Sequence, residues 1–324
     1  MAIPSIIVKS AKNSWNWQWR QLMNGLGPTD QEGNYTRPIS KYQSSSISLI
    51  PDLSSRTKEN LPTLIIGRSC PWAHRTWLTY EIRDLSNTIN LLIASANHQT
   101  GRWILKPPLL KKELLSELYI HCGSGPNLRA TVPVLIDPKD PKLKTPRIIG
   151  NESTQLIRTL NQWPTNSPAI DLEPKELLTE INDWQNIIQP FINDGVYKCG
   201  FARNQNAYEK ASENLFGTLK IVDQSLSEKG PWLCGEKLTL ADIRLFPTII
   251  RWEAVYAPLF KCSQEPLWRF QNIISWRQKL FSIQNVRKTC NSKIWLNDYF
   301  GALFPLNPSS IIPQGPDLSQ IVNH

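Results

Sequence analysis

No run of eighteen apolar residues occurs in the 324-residue chain, so no segment reads as a membrane-spanning helix and no membrane partner is expected. The N-terminus has only a short apolar patch, Ile3 to Val8, and lacks the long apolar core of a secretory signal. No acid precedes Asp30, a trait shared with organelle transit segments, but the expectation here is a cytoplasmic protein. None of the six cysteines forms a CxxC pair, and no Cys/His cluster has zinc spacing. A structural metal, a disulfide framework and a two-thiol redox motif are therefore not expected. With only His74, His98, His121 and His324, no His-centred triad can be assembled. Lys and Arg exceed Asp and Glu by nine, yet no run of five or six basic residues exists, so nucleic acid is not an expected partner. Internal repeats are absent.

What is present reads as globular: 40% apolar and 19% charged residues, with thirteen Trp to act as large half-buried anchors. The length suffices for two cores. Residues 1–60 are rich in Ser, Pro and Asn and read as an N-terminal arm. Residues 61–162 read as β-α-β-α-β-β-α, the order of a thioredoxin-like domain. In it Leu61–Ile66, Ile89–Ala94, Thr131–Asp137 and Pro146–Ile149 are strands, and Leu109–Tyr119 is one of the helices. A Pro/Asn/Ser-rich linker, Gln162–Leu172, leads into an all-helical domain over 163–300. There Thr239 and Asp242 make a capping box. Residues 301–324, with four prolines, read as an extended tail. The fold class is thus α/β plus all-α, with a cleft between the two parts.

Cys70 follows a strand and immediately precedes a helix that Pro71 can open. Free N–H groups and the helix dipole at that spot stabilise a thiolate, and Arg68 and Arg75 add positive charge, so the expected thiol pKa is depressed. The other reading of Cys70 is a small buried residue in a turn. With Ala73 where a resolving cysteine would stand, a one-thiol cycle needs an external thiol such as glutathione. Val132-Pro133 opens a strand beside Cys70. A cis bond there would turn the Val132 backbone toward a peptide-like ligand, whereas an ordinary edge proline would not. Glu152 and Ser153 open a helix. They could hold the amino and carboxylate groups of a γ-glutamyl unit, or Ser153 could simply cap. His74 lies one turn beyond Cys70 and reads as a packed or solvated side chain rather than a group that polarises the thiol.

Cys70-Pro71-Trp72-Ala73-His74-Arg75, Val132-Pro133-Val134-Leu135 with Asp137, and Asn151-Glu152-Ser153 with Ile157-Arg158 together resemble the xi-class glutathione transferases, the glutathionyl-hydroquinone reductases. Val196-Tyr197-Lys198-Cys199-Gly200-Phe201-Ala202, Ala241–Phe246, Phe260-Lys261-Cys262 and the ending Asn307–Pro316 are similar as well, as is Arg37-Pro38 in the arm. The resemblance covers about residues 62–318 and is omega-like in using cysteine. It implies that Cys70 attacks the sulfur of a glutathionyl-hydroquinone and is freed by a second glutathione. It further implies that Pro71, Trp72, Trp103, Arg129, Val132, Pro133, Glu152 and Ser153 bind glutathione and that Tyr197 and Tyr299 line an aromatic pocket as catalytic phenols. A homodimer is implied too. Asp298, Phe300, Ala302, Leu303 and Arg102 depart from the family pattern. An omega-type thioltransferase or dehydroascorbate reductase, and a non-catalytic ligand-binding or scaffold protein, are the alternative functions.

Overall fold

A computed structural model describes residues 3–38, 40–42, 52–54, 56–139, 145–165 and 169–323. Residues 43–51 of the arm and 166–168 of the expected linker lie outside them. The arm opens with a helix, α1 (Ser5–Leu26), which the sequence reading did not anticipate. Trp15, Trp19, Met23 and Leu26 recur at helical spacing and face the body. Trp19 Nε1 donates to the Pro305 carbonyl at 3.1 Å, Trp15 meets Phe304 edge-on at 6.2 Å, and Met23 is buried. The stripe is hard to see because Ile6, Ile7 and Trp17, on other faces, are apolar and exposed.

A six-stranded sheet follows, in spatial order β4-β3-β2-β1-β5-β6. Strand β1 (Thr63–Gly67) is buried at every position and feeds α2 (Pro71–Ile82), which crosses over to β2 (Asn90–Asn97). β1 and β2 pair in parallel, and such a pair requires a crossover of this kind. The chain next makes an antiparallel hairpin, β3 (Arg102–Leu109) and β4 (Lys112–Leu114), before a short α3 (Leu115–His121). This corrects the helix expected over Leu109–Tyr119. Leu110 and Lys111 adopt positive φ and turn the chain, so only the second half of that apolar stretch is helical. β5 (Val134–Asp137) pairs antiparallel with β1 and with β6 (Arg147–Gly150), and α4 (Ser153–Asn161) closes the thioredoxin-like part.

The rest is helical: α5 (Leu178–Ile188), α6 (Gly195–Phe201), α7 (Gln205–Lys229), α8 (Leu240–Ile249), α9 (Ala257–Phe260), α10 (Gln271–Ser282), α11 (Gln284–Arg287), α12 (Ser292–Ala302) and α13 (Leu318–Asn323). The capping box at Thr239 forms as read. Asp242 also accepts from Leu233 N–H at 3.0 Å and Trp276 Nε1 at 2.8 Å, so one buried carboxylate ties three segments. α13 corrects the extended-tail expectation. Ile321 and Val322 are buried, and Gln278 donates to the Val322 carbonyl at 2.8 Å.

Buried side chains form two clusters, and α2 and α4 face both. Ala73, Trp77, Leu156 and Leu160 pack with the sheet, while Leu78 and Ile157 pack with the helices. α2, whose N-terminus carries Cys70, is therefore locked between both cores, which fixes the site at their junction.

Candidate active site

Cys70 stands at the N-cap of α2, with Pro71 in the first turn. The preceding turn is held from the helical side. Arg251 Nη2 and Trp295 Nε1 both donate to the Arg68 carbonyl, at 3.1 and 3.2 Å, and the Arg251 guanidinium lies 4.3 Å from the Trp295 ring. Opposite, the Val132–Pro133 peptide is cis, and Cys70 Sγ donates to the Val132 carbonyl at 3.5 Å. Trp103 on β3 lies over β1 so closely that a Cβ on Gly67 would come 2.4 Å from its ring, so only glycine fits there.

The electrostatics differ from the expectation. Burial pushes the Cys70 thiol above its ordinary value, against the Ala73 and Trp72 N–H groups and the charges of Arg251 and Arg37. The expected depression fails because burial of the sulfur outweighs the N–H groups and cations around it. The expected cations were also the wrong ones. Arg68 is exposed and offers its carbonyl to Arg251. Arg75 is buried, with its guanidinium 4.5 Å from the Trp72 ring, and burial lowers its own pKa to about 9.

His74 is buried, with Nε2 at 2.7 Å from Thr289 Oγ1 and Nδ1 at 2.8 Å from Arg251 Nη1. A guanidinium can only donate, so Nδ1 is the acceptor and the ring is neutral with its proton on Nε2. Burial first, then Arg251, hold its pKa well below the ordinary value. The stability from this depressed group is complete above the unfolded value near 6.5 and is lost as pH falls below it. Wild-type protein should lose ~1.4 kcal/mol of unfolding free energy per pH unit through this residue below about pH 6.5. His74→Gln should be less stable at pH 7 but show a flatter slope in denaturant melts from pH 7 to 5. Parallel slopes would refute the assignment.

The far wall is aromatic. Tyr197 on α6 stacks with Trp72, centroids 5.9 Å apart at 29°. Its hydroxyl is 2.7 Å from that of Tyr299 on α12, which is 3.3 Å from the Tyr256 hydroxyl. Burial raises the pKa of all three phenols, Tyr197 and Tyr299 most, and the nearby Cys70 adds to the effect on Tyr197 and Tyr256. These phenols hold their protons at neutral pH and are donors. Tyr256, which sits in a π-helical turn (Trp252–Tyr256), was missed because no local motif marks it.

Glu152 is the N-cap of α4 and accepts from Thr154 N–H at 3.3 Å, while Ser153 is buried behind it. Arg37 from the arm lies over Trp72, 3.7 Å from its ring centroid. The structure thus gathers Cys70, Pro71, Trp72, Trp103, Val132, Pro133, Glu152 and Ser153 with Tyr197 and Tyr299. Arg129 is exposed, and its charge acts on Tyr35 of the arm. Of the departing residues, Asp298 pairs with His98 at 3.0 Å across the two parts, and Phe300 is buried in the helical core.

The chain is similar to several known proteins. Residues 205–279 match the family model of the glutathione S-transferase C-terminal domain. The glutathionyl-hydroquinone reductase PcpF of Sphingobium chlorophenolicum is 31% identical over 88% of this chain and 90% of its own length. The glutathione-bound structure of YqjG from Escherichia coli K-12 superposes with a TM-score of 0.72 at 32% identity, covering 79% of this chain and 85% of that one. The Xi glutathione S-transferase of Phanerochaete chrysosporium does so with a TM-score of 0.77 at 30% identity, covering 89% and 94%.

Proposed function

The chain belongs to the xi-class glutathione transferases, the glutathionyl-hydroquinone reductase family, and from that premise we propose that it removes glutathione from glutathionyl-hydroquinones through a Cys70–glutathione mixed disulfide. The supporting observation is the pairing of a single thiol at a helix N-terminus with a chain of protonated phenols, Tyr197, Tyr299 and Tyr256.

In the first half-reaction Cys70 Sγ attacks the thioether sulfur. The S–S bond forms as the bond from sulfur to the ring breaks, its electron pair stays with the ring, and the ring takes up a proton. The phenol pair supplies that proton and is reprotonated by the one released from the thiol. A second glutathione then attacks the mixed disulfide, oxidised glutathione leaves and Cys70 regains its proton. Ala73 and Trp72 N–H groups, with Arg251 and Arg37, favour negative charge on sulfur as it develops, offsetting the burial that keeps the resting thiol protonated. In this reading Pro71, Trp72, Trp103, Arg129, Val132, Pro133, Glu152 and Ser153 bind glutathione. The reading extends to a cytoplasmic homodimer, on the family resemblance alone.

The test is a comparison of glutathione-dependent turnover of a glutathionyl-hydroquinone, dehydroascorbate and a simple glutathione mixed disulfide. The hydroquinone conjugate should give the highest kcat/KM. Conjugation of glutathione to a chlorinated aromatic should be slow, because the cysteine forms a disulfide with glutathione rather than activating its thiol. Dominant dehydroascorbate turnover, or robust conjugation lost in Cys70→Ser, would overturn the proposal in favour of an omega-type thioltransferase or a conventional transferase.

A further inference from the structure

The first half of α1 is solvated on every side. Each residue from Ile3 to Gln18 is exposed, and the contacts that seat the helix begin only at Trp15 and Trp19. Isolated helical turns are marginal in water, and the β-branched Ile6, Ile7 and Val8 weaken them further. Most helical stability comes from covering an apolar face, and here that face is bare.

Single exposed apolar residues are normal on a protein surface, but these are not scattered. Ile3, Ile6, Ile7 and Trp17 are 69%, 76%, 55% and 66% exposed. At about 100° per residue, Ile6, Ile7 and Trp17 fall on one arc of the helix, Ile3 leads into it, and the small Ser10 and Ser14 lie between them. That arc points away from the one that carries Trp15, Trp19, Met23 and Leu26 toward the body. The helix therefore shows solvent a second apolar stripe, about 20 Å long from Ile3 to Trp17.

Charge narrows the choice of occupant. Lys9, Lys12 and Arg20 are exposed, and Lys9 and Arg20 run along one border of the stripe. No Asp or Glu occurs before Asp30. A second copy laid symmetrically on this face would set cations against cations, with no acid on the helix to pair them. A nucleic acid backbone would take the cations and leave the isoleucines in water. An anionic lipid surface satisfies both sets at once. The isoleucines and the Trp17 ring enter the boundary between headgroups and acyl chains, while the basic side chains snorkel to the phosphates. Among the described residues no helix is long and apolar enough to cross a membrane, so the fit is to a surface.

We propose that α1 is a docking helix for an anionic phospholipid surface, lying along it with Ile3, Ile6, Ile7 and Trp17 inserted and Lys9, Lys12 and Arg20 on the headgroups. Trp19, Met23 and Leu26 keep the other face of the helix on the body, so docking leaves the fold in place.

The test is co-sedimentation of the full chain with vesicles of phosphatidylcholine alone or with about one-third phosphatidylglycerol, at rising salt. Wild-type protein should bind the anionic vesicles ~10-fold or more tighter than the neutral ones, and salt should weaken it. The triple variant Lys9→Gln, Lys12→Gln, Arg20→Gln should bind about 10²-fold weaker. The triple variant Ile6→Ser, Ile7→Ser, Trp17→Ser should bind ~10-fold or more weaker. Both should match wild type in thermal melt, solution mass and turnover without vesicles, since none of these side chains belongs to either core. The emission difference between wild type and Trp17→Phe should shift to the blue on anionic vesicles, which reads insertion without the serine variant. Wild-type protein that ignores anionic vesicles or shows no Trp17 shift overturns the proposal. So does a serine variant that binds as wild type does, which would trace binding to the basic surface at large. A serine variant that halves in solution mass overturns it in favour of a second copy on the stripe.

Discussion

Cys70→Ser is expected to abolish turnover of glutathionyl substrates while leaving the fold intact. The S–S bond that carries the cycle cannot form at a serine, whose hydroxyl is a far weaker nucleophile with a pKa far above neutrality. The other five thiols are less suited: Cys199, Cys234, Cys262 and Cys290 are buried, and burial pushes Cys122 up to about 11, Cys234 and Cys290 to about 12 and Cys262 up as well. Loss of a sole nucleophile is expected to cost on the order of 10³-fold or more. Folding should be spared because the Cys70 sulfur meets the Val132 carbonyl at 3.5 Å and the Ala73 and Trp72 N–H groups, all of which a hydroxyl can serve. Serine is in addition a favoured residue at the N-cap position Cys70 holds. The measurement is kcat/KM with glutathionyl-hydroquinone alongside a thermal melt. Retention of a tenth of the activity would show that another group is the nucleophile. Cys70→Ala should keep glutathione affinity within about tenfold, since the proposed anchors at Val132, Glu152 and Ser153 remain.

Tyr197→Phe is expected to lower turnover of glutathionyl-hydroquinone by about 10² or more, the usual cost of removing one donor aimed at developing charge. Turnover of a simple glutathione mixed disulfide should fall little, because a thiolate leaves without help. Tyr299 is buried and Tyr197 partly so, both stay protonated, and they hydrogen-bond each other at 2.7 Å. Removing the Tyr197 hydroxyl therefore takes away the donor and leaves Tyr299 with only its longer contact to Tyr256, at 3.3 Å. The ring itself is kept, so the stack on Trp72 and the edge contacts to Phe201 and Phe260 survive. Phe300 occupies the place where the family carries a second tyrosine and is packed in the core. Activity toward hydroquinones should accordingly rest on Tyr197 and Tyr299, with Tyr256 behind them at 3.3 Å. The decisive readout is the ratio of the two losses. Equal losses for both substrates would remove the proton-donor role and favour a general thioltransferase.

The sequence was most legible where a feature depends on a few consecutive residues. An apolar run, a short turn and Cys70-Pro71 before a helical stretch are enough to set a cysteine at the N-cap of α2. Glu152-Ser153 starts α4 for similar reasons, and Thr239 with Asp242 caps α8. It was least legible where one pattern serves two structures. The leucines of 109–118 fit a helix in isolation, but the turn at Leu110 and Lys111 converts half of them into a hairpin. The stripe of α1 is masked because its other faces are apolar too.

By itself, then, the sequence determined that Cys70 stands at a helix start, the thioredoxin-like order of its surroundings and the helical partner, since hydrophobic spacing and capping are local properties. Tertiary structure decided the chemistry around the sulfur. Arg251 and Arg37 reach Cys70 from the helical part and the arm, whereas its sequence neighbours Arg68 and Arg75 turn their charges elsewhere. The chain Tyr197–Tyr299–Tyr256 joins three separate segments. The burial that raises the thiol exists only once both cores have closed on α2. Desolvation and Coulomb interaction depend on distance in space, and distance along the chain does not encode it.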